Sequence, residues 1–197
     1  MAGQTREQLL DVAERLFAER GFYGASIAAI ADELGLTKQA LLHHYGSKEK
    51  LYGAVLQRIS EYVEEHLVST VTSSSDTFQQ LEAYLLTMAT SSLESPARSQ
   101  LLMRELLDNK RRADTVGTWY LRSYLDTLVE LVRKIPGWTD APQEDIFITL
   151  YQLLGAINYF VVSQPTLQGI YGQKSVHQFR LAFAAQFSRI LRSSLQV

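Results

Sequence analysis

Cysteine is absent from the 197 residues of this sequence, which excludes disulfide bonds, cysteine-ligated zinc sites and cysteine nucleophiles. The absence fits the reducing environment of the cytoplasm. A membrane-spanning stretch is also missing, because no segment approaches the roughly 20 uninterrupted apolar residues that cross a bilayer. The N-terminus leads directly into an amphipathic segment and lacks the apolar core of a signal peptide. We therefore expect a cytoplasmic protein.

The sequence signatures of common enzyme active sites are missing too. There is no glycine-rich phosphate loop, no G-x-S-x-G turn and no H-E-x-x-H pair of metal ligands. Acidic pairs such as Glu64-Glu65 and Glu144-Asp145 lie near predicted helix ends and are interpreted as solvated. We expect no enzymatic activity and no cofactor. A helical enzyme, or a helical small-molecule-binding protein without DNA recognition, remains the alternative.

Charge is nearly balanced, and the net charge of −2 does not by itself indicate nucleic-acid binding. The distribution of charge is more informative. Between residues 36 and 50 there are three lysines and two histidines against a single acidic residue, Glu49. The sequence therefore predicts a small basic face on an otherwise acidic N-terminal region.

Apolar residues recur almost everywhere at three- and four-residue spacing, which predicts an all-α fold with about nine helices. Hydroxyl residues that cap helices, and glycines that end them, separate the first four helices. The predicted caps are Thr5, Ser26, Thr37 and Ser47, and the helix-ending glycines are Gly21, Gly35 and Gly46. A Ser/Thr-rich stretch at 69–75 is interpreted as a loop. Further helices are expected at 76–93, 97–110, 112–134, 142–163 and 174–193.

Residues 26–45 form two short predicted helices joined by a tight turn with a glycine, the helix-turn-helix arrangement. In this arrangement the second helix enters the major groove and presents its N-terminal side chains to base edges. With its apolar face toward the core, the helix turns Lys38, Gln39, Leu42 and His43 outward for base reading. Residues at helix starts or at the rim suit phosphates, and these are Ser26, Thr37, His44 and Lys48. Tyr45 completes the candidate DNA-binding set, although a core position is the favoured interpretation for its side chain.

The pattern from residue 21 to residue 51 is more specific than a helix-turn-helix alone. It reads Gly21-Phe22-x-x-Ala25-Ser26-Ile27-x-x-Ile30-Ala31-x-x-Leu34-Gly35-Leu36-Thr37-x-x-x-Leu41-x-x-His44-Tyr45-x-Ser47-Lys48-Glu49-x-Leu51. Within a match that covers residues 5–60, this run resembles the DNA-binding head of the TetR family of transcriptional regulators. The resemblance implies a homodimer whose head, residues 1–47, binds a palindromic operator. It also implies that the body, residues 48–197, dimerises and binds a small molecule that releases the DNA. Repression is the favoured interpretation, and activation stays open.

Two pairs of residues depart from the usual pattern of that family. Aromatic residues are frequent at Leu42 and His43, where a tyrosine contacts a phosphate, whereas Leu42 suits a thymine methyl group. Ala28 and Ala29 stand where other members carry polar side chains that read bases, so base reading is expected from the third helix of the chain alone. Metal binding is not expected from His43 and His44, because adjacent helical residues point about 100° apart.

The second half of the chain is rich in aromatic residues and methionine, which at helical spacing belong to a core more often than to a cavity wall. Tyrosine hydroxyls and Asn158 are the better candidates for ligand contact, because a buried polar group needs a partner that a ligand can supply. The set predicts an uncharged effector that is apolar or aromatic. The candidate ligand-binding residues are Tyr84, Met88, Met103, Trp119, Tyr120, Tyr124, Tyr151, Asn158 and Tyr159.

The last two predicted helices carry more apolar surface than one monomer needs to cover. One face consists of Leu150, Leu153, Leu154, Ile157 and Val161, beside Gly155 and Ala156, which allow close approach. The other consists of Phe179, Phe183, Phe187, Ile190 and Leu191. An ordinary bundle core is one interpretation. The resemblance favours a two-fold interface of four helices, two from each subunit.

Overall fold

A computed structural model describes residues 2–71, 76–108 and 120–195 of the chain. Within these ranges there are nine helices and no strand, which confirms the all-α prediction. The helices are α1 (Ala2–Gly24), α2 (Ile27–Asp32), α3 (Lys38–Tyr45), α4 (Lys48–Val71), α5 (Thr77–Glu94), α6 (Ala97–Asp108), α7 (Arg122–Arg133), α8 (Gln143–Val162) and α9 (Gln164–Leu195).

The first of two compact units comprises Met1–Tyr62 and Ala97–Tyr120. Its apolar core joins α1, α2, α3 and the first half of α4, and Leu101 of α6 is fully buried in the same cluster. Helix α1 packs against α2 and α6, and α2 packs against α3. Helix α1 bends at Gly21, whose φ of 71° is a conformation that glycine adopts without steric cost.

The second unit comprises Val63–Pro96 and Leu121–Val197. Helix α5 packs against α7, α8 and α9, and α8 also contacts α7 and α9. Polar contacts reinforce this bundle: Glu82 of α5, 7% exposed, accepts hydrogen bonds from Ser188 and Arg192 of α9. The Trp138 Nε1 atom donates to the Leu195 carbonyl, 3.1 Å away, near the end of α9. Both contacts hold α9 in the bundle.

Several predicted helix boundaries need correction. Helix α1 begins at Ala2, so Thr5 does not cap it, and α4 continues to Val71 into the stretch that was interpreted as a loop. The last helix starts at Gln164, ten residues before the predicted start, and it bends at Gly172. The predicted helix at 112–134 begins at Arg122 in the described part of the chain, and residues 112–119 lie outside it.

The two compact units do not follow the sequence-based division between residues 47 and 48. Residues 48–62 of α4 and all of α6 belong to the first unit, because their apolar side chains complete its core. Helix α4 is continuous across the division between Tyr62 and Val63. The division into a DNA-binding domain, residues 1–47, and a ligand-binding and dimerisation domain, residues 48–197, stays a prediction.

Candidate nucleic-acid interface

Three helix starts in the first unit are capped as the sequence predicts. Ser26 Oγ accepts from the Ala29 N–H at 3.0 Å, and Thr37 Oγ1 accepts from the Ala40 N–H at 3.1 Å. Ser47 Oγ accepts from the Lys50 N–H at 3.2 Å at the start of α4. Each cap satisfies one of the N–H groups that a helix start leaves without a partner. The remaining N–H groups and the positive end of each helix dipole make these starts favourable for anions.

Helix α3 presents its polar face to solvent. Its inner face buries Leu41 and Tyr45, and the two ends are fixed by the Thr37 cap and by Gly46, which has a φ of 78°. Four candidate residues of the same helix are exposed, and these are Lys38, Gln39, His43 and His44. Leu42 is half-buried because it packs against the core of the unit. The outward orientation of Lys38, Gln39 and His43 is therefore as the helical geometry predicts.

Tyr45 has a different role from the DNA contact in which it was included. Its side chain is 7% exposed, and its hydroxyl donates a 2.9 Å hydrogen bond to the Arg6 carbonyl. The Arg6 guanidinium lies 5.4 Å from the centre of the Tyr45 ring. Burial raises the pKa of Tyr45, opposed by the hydrogen bond and charge of Arg6. Tyr45 therefore links α3 to the start of α1, and the single donor proton of its hydroxyl bonds Arg6 instead of a phosphate.

Lys48 and Lys50 are held in place by contacts within the unit. The Lys48 ammonium lies 4.7 Å from the centre of the Phe22 ring, a cation–π contact that orients it beside the start of α4. Burial lowers the pKa of Lys48, and the charge of Glu49 partly opposes this effect. The Lys50 side chain lies near Gly46, where α3 ends, and a cation suits the negative end of that helix. Both lysines lie in the first turn of α4, and Lys48 is its first residue.

His43 and His44 are adjacent residues in the last turn of α3. The His43 and His44 ring centres are 6.1 Å apart, and the rings are inclined by 66°. Among the residues that the structure describes, no group of three His, Asp or Glu side chains is arranged to hold a metal ion.

Helix α6 braces the first unit through polar contacts that the sequence did not reveal. Arg98 Nε lies 3.2 Å from Glu14 Oε1, and the other carboxylate oxygen of Glu14 lies 2.5 Å from Arg58 Nη2. One and a half turns later, the Arg104 guanidinium donates to the carbonyls of Ala18 (2.8 Å) and Glu19 (3.0 Å) just before the bend of α1. These contacts join residues 44 to 86 positions apart, so no local pattern could have found them.

The predicted ligand-binding residues separate into several places. Tyr84, Met88 and Tyr124 come together inside the second unit. The Tyr84 hydroxyl lies 3.2 Å from the Val63 carbonyl and 3.0 Å from the Tyr124 hydroxyl, which is 3.5 Å from Met88 Sδ. Burial raises the pKa of Tyr124, opposed by the hydrogen bond from Tyr84. This is a compact polar centre in an apolar surrounding.

The other candidates lie apart from that centre. Tyr151 and Tyr159 are 46% and 70% exposed on the outer face of α8, so they do not line an interior site of one chain. Asn158 is half-buried and donates to the Leu154 carbonyl one turn earlier in its own helix. Met103 and Tyr120 belong to the first unit, and Trp119 lies outside the described residues.

The apolar faces of α8 and α9 also differ from the predicted interface. Leu150, Leu153, Leu154, Ile157 and Val161 are all buried within the second unit, as are Phe187 and Leu191. Phe179 and Ile190 of the second predicted face are exposed. The other large exposed apolar residues of these helices are Phe147, Ile148, Tyr151 and Tyr159 on α8, and Ile170, Tyr171 and Leu181 on α9. Helix α8 is apolar almost all round, and α5, α7 and α9 cover only one side of it.

Comparison with known proteins agrees with the head pattern. Residues 9–55 match the bacterial regulatory proteins of the tetR family. Over 80 residues the chain is 36% identical to the transcriptional activator FasR of Mycolicibacterium smegmatis, covering 41% of this chain and 36% of FasR. Over 66 residues it is 36% identical to the transcriptional repressor AcnR of Corynebacterium efficiens, covering 32% of this chain and 35% of AcnR. The matched regions thus span little more than a third of the length of these two relatives. Both relatives are transcriptional regulators.

The fold of the whole chain is also similar to that of solved regulators. The structure of the regulator FadR from Bacillus subtilis, in complex with stearoyl-CoA, superposes with a TM-score of 0.69 at 14% identity. The superposition covers 96% of this chain and 97% of FadR. Residues 9–55 thus match the tetR family of bacterial regulatory proteins, and the whole chain has a fold similar to that of solved TetR-like regulators.

Proposed function

We propose that this chain is a homodimeric transcriptional repressor that binds a palindromic operator and is released from it by a small-molecule effector. The observation that carries the proposal is the polar face of α3. Lys38, Gln39 and His43 are exposed side by side on the second helix of a helix-turn-helix, beside three capped helix starts. An operator-binding protein of this kind acts in the bacterial cytoplasm, where the DNA is.

Different residues read the bases and contact the phosphates. Lys38 suits the O6 and N7 acceptors of guanine, and Gln39 suits the paired N6 and N7 groups of adenine. Leu42 offers a methyl contact to thymine from its half-buried position. Lys48, held over Phe22 at the start of α4, suits a phosphate, as do the starts of α2 and α3. The first group sets sequence preference, and the second sets overall affinity.

A second copy of the chain is the proposed occupant of the uncovered faces of α8 and α9. By length and composition alone, α8 is apolar enough to cross a membrane, yet only 28% of its most apolar 18-residue stretch is buried within one chain. Gly155 and Ala156 are exposed on this helix among larger apolar residues, which permits close approach of a partner helix. Two-fold pairing also matches the palindromic operator, since each head then reads one half-site.

The buried hydroxyl pair of Tyr84 and Tyr124 supports the effector part of the proposal. An apolar interior with a few hydroxyls suits an uncharged, apolar or aromatic molecule whose polar group replaces one of these hydrogen bonds. The similar FadR structure holds stearoyl-CoA, a ligand with a long apolar chain. Binding of effector and operator must then be antagonistic in both directions, because the two binding free energies are linked.

The test of the proposed function is selection of bound fragments from random duplex DNA by the purified protein, at about 0.15 M salt to screen non-specific attraction. We expect a palindrome to be enriched. Lys38→Ala and Gln39→Ala should each change the preferred bases, whereas Lys48→Ala should weaken binding similarly for all sequences. Lys134→Ala, at an exposed lysine where α7 ends, is the matched control and should bind as the wild type does. Failure of the folded protein to enrich any sequence would refute the proposal.

The homodimer is tested at Gly155, where an added side chain meets nothing within 4 Å in the single chain. Gly155→Arg should therefore leave the monomer folded but convert the dimer to monomer, as measured by light scattering after size exclusion. Ala83→Arg places the same side chain on an exposed position of α5 and should remain dimeric. A Gly155→Arg protein that stays dimeric would show that this face is not the interface.

A further inference from the structure

Helix α4 contains a glycine in its first half, at Gly53, although glycine weakens a helix interior relative to alanine. The structure gives a steric reason for it. A Cβ atom at this position would lie 2.6 Å from the Tyr120 hydroxyl oxygen and 3.5 Å from Tyr120 Cζ. Real Cβ atoms essentially never show the first distance, so a larger residue here requires the end of the Tyr120 side chain to shift. Gly53 thus forms a notch that receives the end of the Tyr120 side chain.

Tyr120 has a second attachment to the same helix. Ser60 Oγ donates a 2.6 Å hydrogen bond to the Tyr120 carbonyl, and Ser60 is 3% exposed. Gly53 and Ser60 are seven residues apart, which corresponds to about 10 Å along the helix axis. Tyr120 therefore lies along α4 with its backbone fixed at one point and its hydroxyl at another.

The position of Tyr120 in the chain gives this attachment a consequence. Tyr120 is the last residue of the first unit, and Leu121 begins the second, one residue before α7. In the other direction, Gly53 follows Lys48 by five residues, or about 7.5 Å along α4. A change in how Tyr120 is seated in the notch thus acts on the part of α4 that carries Lys48.

We propose that Tyr120 is a positioning residue for the DNA-binding head: seated in the Gly53 notch and bonded to Ser60, it holds the part of α4 that carries Lys48. Operator affinity then depends on how Tyr120 is seated. The inference rests on the proposed function, because it concerns the affinity of the head for an operator. Tyr120 was among the predicted ligand-binding residues, and it lies in the first unit.

The contact between Tyr120 and the Gly53 notch is tested by a pair of substitutions with opposite steric effects. Gly53→Ala adds the Cβ atom that collides with the hydroxyl oxygen, whereas Tyr120→Phe removes that oxygen and leaves Cζ at 3.5 Å, an ordinary contact distance. Gly53→Ala should therefore displace Tyr120, and the double variant should seat the ring again. Tyr120→Ala empties the notch without adding an atom, so it tests the same attachment if Gly53→Ala does not fold.

The readout is the affinity of each full-length protein for the duplex enriched from random DNA, at a temperature where circular dichroism shows all of them folded. We expect Gly53→Ala and Tyr120→Ala to bind about tenfold more weakly, equivalent to about 1.4 kcal/mol. Tyr120→Phe and the double variant should bind within about threefold of the wild type. Unchanged affinity in Gly53→Ala and Tyr120→Ala, or a double variant no better than Gly53→Ala, overturns the inference. A wild-type protein that enriches no duplex overturns the proposed function itself, which separates the two failures.

Discussion

Replacing Glu14 by glutamine tests whether the charged cluster beneath α6 holds the first unit together. Glu14 is 9% exposed on α1, with one carboxylate oxygen 2.5 Å from Arg58 Nη2 and the other 3.2 Å from Arg98 Nε. Arg58 also lies 2.7 Å from Asp11. Burial acts to lower the pKa of Arg58, but its hydrogen bonds and charge interactions with Glu14 and Asp11 outweigh this effect and raise it. Glu14 therefore links α1, α4 and α6.

The magnitude follows from what glutamine removes. It keeps the shape of the side chain but loses the negative charge, and it presents an N–H donor where one arginine needs an acceptor. Loss of a charge-assisted hydrogen bond in a largely buried site costs about 2–3 kcal/mol of unfolding free energy. For a chain of this length each kcal/mol lowers the melting temperature by about 2–4 °C. We therefore expect Glu14→Gln to melt about 4–12 °C below the wild type.

The matched control is Glu19→Gln, the same chemical change on the same helix. Glu19 pairs with Arg15 at 3.4 Å, and both side chains are about half exposed, at 48% and 47%. Exposed pairs of this kind contribute less than about 1 kcal/mol and are screened by salt. Urea and thermal unfolding followed by circular dichroism, at low and high salt, distinguish the two variants. A Glu14→Gln protein as stable as Glu19→Gln would refute the assignment of Glu14 as the link.

Two further substitutions test other contacts by urea unfolding. Burial raises the pKa of Tyr124 above the ordinary 10, so the unfolded chain loses the Tyr124 proton before the folded chain does as pH rises. The stability that the buried, protonated Tyr124 contributes is therefore complete below pH 10 and is lost progressively above it. Tyr124→Phe should therefore lose stability less steeply between pH 10 and 11, and an unchanged slope would contradict the burial argument. Arg104→Met should lower the unfolding free energy by about 1 kcal/mol, because the last carbonyls before the bend of α1 lose their donor. Equal stability of this variant and the wild type would show that water replaces the arginine.

The helix-turn-helix could be predicted from the sequence because its determinants are local. Ser26 and Thr37 cap helices through N–H groups three residues away, and Gly35 and Gly46 have positive φ where the chain must turn. The period of 3.6 residues then fixes which side chains of α3 face outward. Each of these signals lies within a few residues of the feature that it determines.

Predictions that depended on contacts between residues far apart in the sequence needed correction from the structure. The apolar residues from Leu150 to Val161 were assigned to a subunit interface, but α5, α7 and α9 bury them within one chain. Tyr151 and Tyr159 were grouped with Tyr84 and Tyr124 as ligand contacts, yet the first two are exposed and the last two buried. Helix α8 is apolar on most sides, so its periodicity does not show which side its neighbours cover.

The sequence by itself therefore determined the all-α class, the helix-turn-helix and the outward face of α3, since capping, turn geometry and helical period act over a few residues. Only the tertiary structure decided that α6 belongs to the head unit, that Glu14 links two arginines, and that Gly53 receives Tyr120. Glu14 and Arg98 are 84 residues apart, and Gly53 and Tyr120 are 67 apart. Contacts between such distant residues arise from the packing of whole helices, and the spacing of residues along the sequence does not predict them.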